Sequence, residues 1–272
     1  MNAVLEPASA GEAAQPLLRL SRIHKRYSNG TVALRDMSLS INRGDFVSLL
    51  GPSGCGKSTA LRMMAGLLGL SSGEITWTEG AAGHDAHSSD IGFVFQEPTL
   101  MPWATIFDNV YLPLRLAGVS RARADGEVRE ALAMVGLSKF ADVYPRELSG
   151  GMKMRVSIAR AMVTRPKLLL MDEPFAALDE MTRAKLNDDV LRLWKERGLT
   201  VVFVTHNVWE AVYLSTRVVV MAARPGRVVE DIHIEGPQLR DEAFRTSPAY
   251  TEQCVRVSAS LKDTLAHASV DH

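Results

Sequence analysis

Nine consecutive residues, Gly51-Pro52-Ser53-Gly54-Cys55-Gly56-Lys57-Ser58-Thr59, constrain this chain more than any other stretch. They fit the pattern G-x-x-x-x-G-K-[ST], a glycine-rich cradle for phosphate. Phe46 to Leu50, just before, is a short apolar run of the kind a buried strand needs, and Ala60 to Ala65, just after, reads as a helix that Gly66 can close. Strand, glycine turn and helix start make an anion site. The glycines let the backbone curl close to phosphate, and the N–H groups of the first helical turn point at it. In that geometry Lys57 reaches the β- and γ-phosphates and the Ser58 hydroxyl ligates Mg²⁺.

The rest of the chain alternates strands and helices around this turn. Leu17–Tyr27, Met37–Ile41 and Glu74–Thr78 read as strands of a small antiparallel region, because no helix separates the first two. Ile91–Phe95, Leu168–Met171, Val201–Val204 and Val218–Met221 are short apolar runs of a buried sheet. Between residues 105 and 148 the pattern turns helical, with Thr105 and Ser120 as helix starts, Pro113 interrupting or ending the first helix and Gly136 as a stop. The expected fold is therefore α/β: a P-loop NTPase (nucleoside triphosphatase) core with a mainly parallel sheet, an N-terminal antiparallel β-region and a helical insert. The expected division is a tail over 1–16, a domain over 17–235 with a helical subdomain over about 97–165, and an extension over 236–272 with a short helix.

Four core strands end in polar residues: the glycine loop itself, Gln96, Asp172-Glu173 and His206. In an open parallel sheet ligands sit at the carboxyl ends of strands, so these groups can converge on a phosphate held by Lys57. Asp172 can hold Mg²⁺, Glu173 can activate a water, and His206 can stabilise developing charge. His84 and His87 lie in a loop of Gly, Ala and Ser and read as solvated side chains, not as a metal site.

Composition narrows the setting. Basic and acidic residues balance at 31 each, which argues against a broad nucleic-acid surface. Cys55 and Cys254 are the two cysteines and have neither disulfide nor zinc spacing, which fits a reducing compartment. The first residues lack the charged start of a signal peptide, and no apolar run approaches the roughly 18–20 residues of a membrane span.

Leu148-Ser149-Gly150-Gly151-Met152 adds a second anion-binding helix start, which the site at Lys57 does not need for itself. With this motif in place, residues 17–235 resemble the ATP-binding cassette (ABC) ATPases, whose signature has this form. Gln96, Asp172-Glu173, Ala177-Leu178-Asp179 and His206 follow in the family's order. The resemblance implies a homodimer with two ATP molecules and Mg²⁺ sandwiched between the loop Gly51–Thr59 of one subunit and Ser149, Gly150 and Gly151 of the other. It implies Glu173 as general base, Gln96, Ser58 and Asp172 around Mg²⁺, and Lys57 and His206 at the γ-phosphate. Asp179 would link the two sites, Tyr27 would stack on adenine, and Cys55 would offer its backbone N–H, not its thiol. Met154 departs from the Gln many members carry after the signature.

The apolar residues Leu100, Met101 and Trp103, in a loop after Gln96, are the expected contact for an integral membrane permease. The texture of the motifs is similar to the nitrate, sulfonate and taurine importer branch, with thiamine-precursor importers close by. The resemblance therefore implies an ATP-hydrolysing import motor on the cytoplasmic face of the inner membrane, working with a permease and an extracytoplasmic solute-binding protein. The other reading is a soluble ATPase of the same family acting on nucleic acid or ribosomes. The single cassette, the balanced charge and the lack of a heptad run speak against it.

Overall fold

The structure is a computed structural model that describes residues 16–78, 90–237 and 240–268. The loop with His84 and His87 lies outside the described residues. Three strands, β1 (Pro16–Arg26), β2 (Val32–Asn42) and β4 (Ser72–Trp77), form an antiparallel sheet in the order β2-β1-β4. The central sheet is built from β3 (Phe46–Leu50), β5 (Ile91–Val94), β6 (Leu168–Asp172), β7 (Thr200–Thr205), β8 (Arg217–Ala222) and β9 (Arg227–His233). Its order is β5-β6-β7-β3-β8-β9, parallel throughout except for β9.

Every residue of β3, β6 and β7 is buried, as expected of strands covered on both faces. Successive side chains alternate between two cores. Val47, Leu49, Leu168, Leu170, Val202 and Val204 pack with the antiparallel sheet and with α1 (Lys57–Met64). Phe46, Leu169, Met171, Val201 and Phe203 pack toward the helices on the other face. The register sets Leu50 beside Thr205 and Val220, and Asp172 beside Val204. The strands carrying the polar residues thus leave the sheet at nearly one level.

The helical insert comprises α2 (Ile106–Leu116), α3 (Arg121–Met134) and α4 (Gly150–Met162). Thr105 caps α2, its hydroxyl accepting from the Asp108 N–H at 3.2 Å. Pro113 does not end this helix, contrary to the sequence expectation. It sits inside the helix, and the buried face of Phe107, Val110 and Leu114 holds the helix together past the missing N–H. Met154 is buried in α4, so its place after the signature is one of packing.

The C-terminal part also differs from expectation. β9 was not foreseen, because Arg227–His233 is a charged and mostly exposed edge strand with little apolar alternation. After α5 (Glu180–Arg197), α6 (Val208–Leu214) and α7 (Glu242–Arg245), the final helix α8 (Pro248–Ala268) runs for 21 residues and is not short. Tyr250, Cys254 and Val257 recur on one face and are buried in the main core. The Tyr250 hydroxyl donates to the Trp209 carbonyl of α6 at 2.7 Å.

Candidate active site

The turn after β3 is shaped by its glycines. A Cβ on Gly51 would lie 2.6 Å from the Met221 carbonyl oxygen and 2.8 Å from the Cys55 sulfur. Gly54 and Gly56 have φ of +77° and +89°, in the left-handed region that favours glycine. Gly56 is the N-cap of α1, and no side chain caps that helix, so its first turn is open to an anion. Lys57 folds back over the turn, its Nζ donating to the Gly51 carbonyl at 2.7 Å and the Pro52 carbonyl at 3.1 Å.

A cleft of about 410 Å³ opens in front of this turn. Ser53, Gly54, Gly56, Lys57, Ser58 and Thr59 line its floor, and Tyr27, Thr31, Val32 and Ala33 line one wall. Tyr27 is 37% exposed, with its hydroxyl 3.2 Å from the Thr59 hydroxyl, so an aromatic face stands beside the start of α1. Gly51, Pro52 and Cys55 shape the loop from behind and are not part of the lining. The Cys55 N–H donates to the Pro52 carbonyl at 3.3 Å, so the donor expected to face phosphate is engaged inside the loop. Burial pushes the Cys55 thiol up despite Lys57 nearby, which keeps it neutral.

Two carboxylates from the end of β6 reach the same place. Ser58 Oγ donates to Asp172 Oδ1 at 2.7 Å. Burial raises the Asp172 carboxyl above its ordinary range, against the pull of the Ser58 hydroxyl. A desolvated carboxylate beside a hydroxyl oxygen is a donor set suited to a small hard cation. Glu173 follows with φ of 45°, rare for a side chain of its size, and its N–H donates to the Val204 carbonyl at 3.0 Å. That twist turns its carboxylate into the cleft, with Oε1 3.9 Å from Lys57 Nζ and Oε2 3.1 Å from His206 Nδ1. Lys57, Ser58, Asp172, Glu173 and His206 therefore come together as the strand ends predict.

Other expected residues stand apart. Gln96 is exposed just beyond β5 and is not among the cleft's lining. Ser149 caps α4, its hydroxyl accepting from the Met152 N–H at 3.3 Å. Asp179 caps α5, accepting from the Thr182 N–H at 2.9 Å. Gly150 and Gly151 pack against the start of α5, where a Cβ on Gly151 would lie 2.5 Å from the Thr182 methyl. Ser149, Gly151 and Asp179 thus border one another and do not enter this molecule's own cleft. Two residues were missed. Glu210 is buried beneath His206 and accepts from the Thr205 hydroxyl at 2.5 Å. Arg224, at the end of β8, lines the cleft, and the same strand-end rule that singles out Gln96 and His206 would have found it.

A sequence model of the ABC transporter family matches residues 34–176. A taurine import ATP-binding protein of Rhizobium johnstonii is 42% identical, over 88% of this chain and 92% of its own length. An aliphatic sulfonates import ATP-binding protein of Pseudomonas savastanoi is 46% identical, over 78% of this chain and 84% of its own. Among solved structures, the ATP-binding cassette MJ0796, dimeric and bound to ADP and Pi after hydrolysis, superposes with a TM-score of 0.71. It shares 35% identity, covering 81% of this chain and all of that one.

Proposed function

The chain belongs to the ABC transporter family and is an ATPase, and from that premise we propose that it drives an importer for a small oxyanionic or related solute. Taurine and sulfonates come first among the candidate solutes, from the names of its relatives, with nitrate and thiamine precursors behind them. The observation that carries the catalytic reading is the Glu173 carboxylate, held between Lys57 and His206 beside the Ser58–Asp172 pair.

The proposed chemistry is a water attack on the γ-phosphorus. Tyr27 packs on adenine, and the turn Gly51–Thr59 wraps the phosphates with Lys57 neutralising their charge. Ser58 and Asp172 would hold Mg²⁺, with Gln96 as the further ligand that the family resemblance implies. The ion would draw charge from the phosphate oxygens. Glu173 takes a proton from the water as the water oxygen bonds to phosphorus and the bond to the ADP oxygen breaks. His206, hydrogen-bonded to Glu173, fixes the direction of that carboxylate and meets the charge on the departing phosphate. Ser149, Gly150 and Gly151 complete the same site in a second copy, and Asp179 beside them carries the state of one site to the other. Trp103, with Leu100 and Met101, offers the contact for the membrane permease, to which an extracytoplasmic binding protein delivers solute. No helix of the described residues is long and apolar enough to cross a membrane, so attachment to the cytoplasmic face would come through the permease.

The test is Glu173→Gln. ATP binding should persist while turnover falls by a factor of about 10²–10⁴, because only the base is lost. In light scattering the variant should dimerise in ATP and not in ADP. A monomer in saturating ATP would sink the two-copy site.

A further inference from the structure

One charged side chain lining the cleft has no task in the chemistry above. Among the described residues, Lys57, Glu173 and Arg224 are the charged ones of the lining. Lys57 and Glu173 face each other at 3.9 Å, and Lys57 also donates twice to the loop backbone. No hydrogen bond or ion pair engages the exposed Arg224 guanidinium among the described residues. The one uncommitted charge facing the cleft is therefore a cation.

Its turn is held firmly. The Gly226 N–H donates to the Ala33 carbonyl at 2.9 Å, and the Arg35 N–H donates to the Gly226 carbonyl at 2.9 Å. Leu34 and Gly226 form an isolated parallel bridge between β2 and the β8–β9 turn. A Cβ on Gly226 would run into the Cys55 carbonyl of the phosphate loop. Against this anchor Arg224 keeps φ of 55°, a conformation side chains adopt at a cost and which persists where the surroundings impose it. The turn is thus bolted to both the phosphate loop and the wall that carries Thr31, Val32 and Ala33.

The strand order says which end of the nucleotide it meets. Asp172, Glu173 and His206 leave β6 and β7, on one flank of β3. Arg224 leaves β8, on the other flank, next to the Tyr27 wall. We infer that Arg224 is a nucleotide-binding residue that grips the α-phosphate and ribose end, away from the bond that is broken. It therefore serves ATP and ADP alike. The inference rests on the cleft being the ATP site.

Titrations of the full chain with ADP and with a non-hydrolysable ATP analogue would decide it, using wild type, Arg224→Ala, Arg224→Lys and Lys57→Ala. Arg224→Ala should weaken both nucleotides by the same factor, about tenfold for a lost charge-assisted contact. The loss should shrink at high salt, and Arg224→Lys should fall between wild type and the alanine variant. In turnover, KM for ATP should rise by that factor while kcat changes far less. The ligand-free variants should melt with wild type. Binding within twofold of wild type while Lys57→Ala is defective would overturn the role of Arg224 alone, as would a loss confined to the ATP analogue. Wild type that bound neither nucleotide would remove the ATPase reading together with it.

Discussion

Asp172 shows how a single side chain carries the cost of a site. Its carboxyl is raised by burial, so the fold disfavours the charged form that a cation needs. The penalty is full above the folded-state pKa, where the group is ionised in both states. It fades as pH falls toward the ordinary carboxylate range near 4. Asp172→Asn should therefore raise the melting temperature of the nucleotide-free protein at pH about 7.5, and the gain should vanish near pH 3–4. The same variant should lose Mg²⁺-dependent ATP hydrolysis. Melts at the two pH values check the sign, and a variant less stable at neutral pH would contradict it. At this scale the sequence was readable where chemistry forces a residue type: Lys57, Ser58, Asp172, Glu173 and His206 meet as strand-end polarity implies. Arg224 follows the end of β8 and lies within reach of that same rule, whereas Glu210 was not readable, because nothing in a local pattern tells that a carboxylate is buried under a histidine.

Elements were legible when their pattern was local. Glu180–Arg197 is the helix its periodicity predicts, ending at Gly198 with φ of 59°. α2 was misjudged at Pro113, where burial of one face outweighs a lost hydrogen bond. α8 was underestimated, although Tyr250, Cys254, Val257 and Leu261 recur at helical spacing, because its apolar face takes meaning only from what it covers. What it covers includes a polar lock. The Tyr213 hydroxyl lies 2.7 Å from both Asp188 Oδ1 and the Arg240 carbonyl. Arg245 stacks on the Tyr213 ring at 4.0 Å and bonds Asp188 at 2.6 Å. Burial lowers the Arg240 guanidinium to about 10, yet it donates to the Val212 and Tyr213 carbonyls and closes the end of α6. Tyr213→Phe should cost about 1–2 kcal/mol in denaturant unfolding, since it removes the one hydroxyl proton that the Arg240 carbonyl and Asp188 compete for, while Asp188 keeps Arg245 as its donor. A neutral result would mean that ring packing alone joins the C-terminal part to α5 and α6.

The molecule as a whole presents a nucleotide cleft and an apolar loop that are far apart in role and tied by the helical insert. Asn109 is buried and binds the Met101 backbone from both sides, at 2.7 Å and 3.2 Å, which fixes the loop. Leu100 packs on the core and Trp103 remains 77% exposed, so Trp103 is not filling the interior of the insert. Trp103→Ala should leave the folding and ATP hydrolysis of the isolated subunit intact and uncouple hydrolysis from transport in the assembled importer. Solute uptake into vesicles measured against phosphate release checks this, and a variant that loses hydrolysis when isolated would place the ring in the fold's support. The placement of Ser149 and Gly151 outside the cleft reaches further than any one substitution. With the two-copy site proposed above, a motor whose phosphate cage is closed by another copy of itself would be sensitive to its own molarity. When scarce it would hold ATP idle, so dilution would act as an inhibitor, and a membrane partner that gathers two copies side by side would act as the switch that turns fuel consumption on.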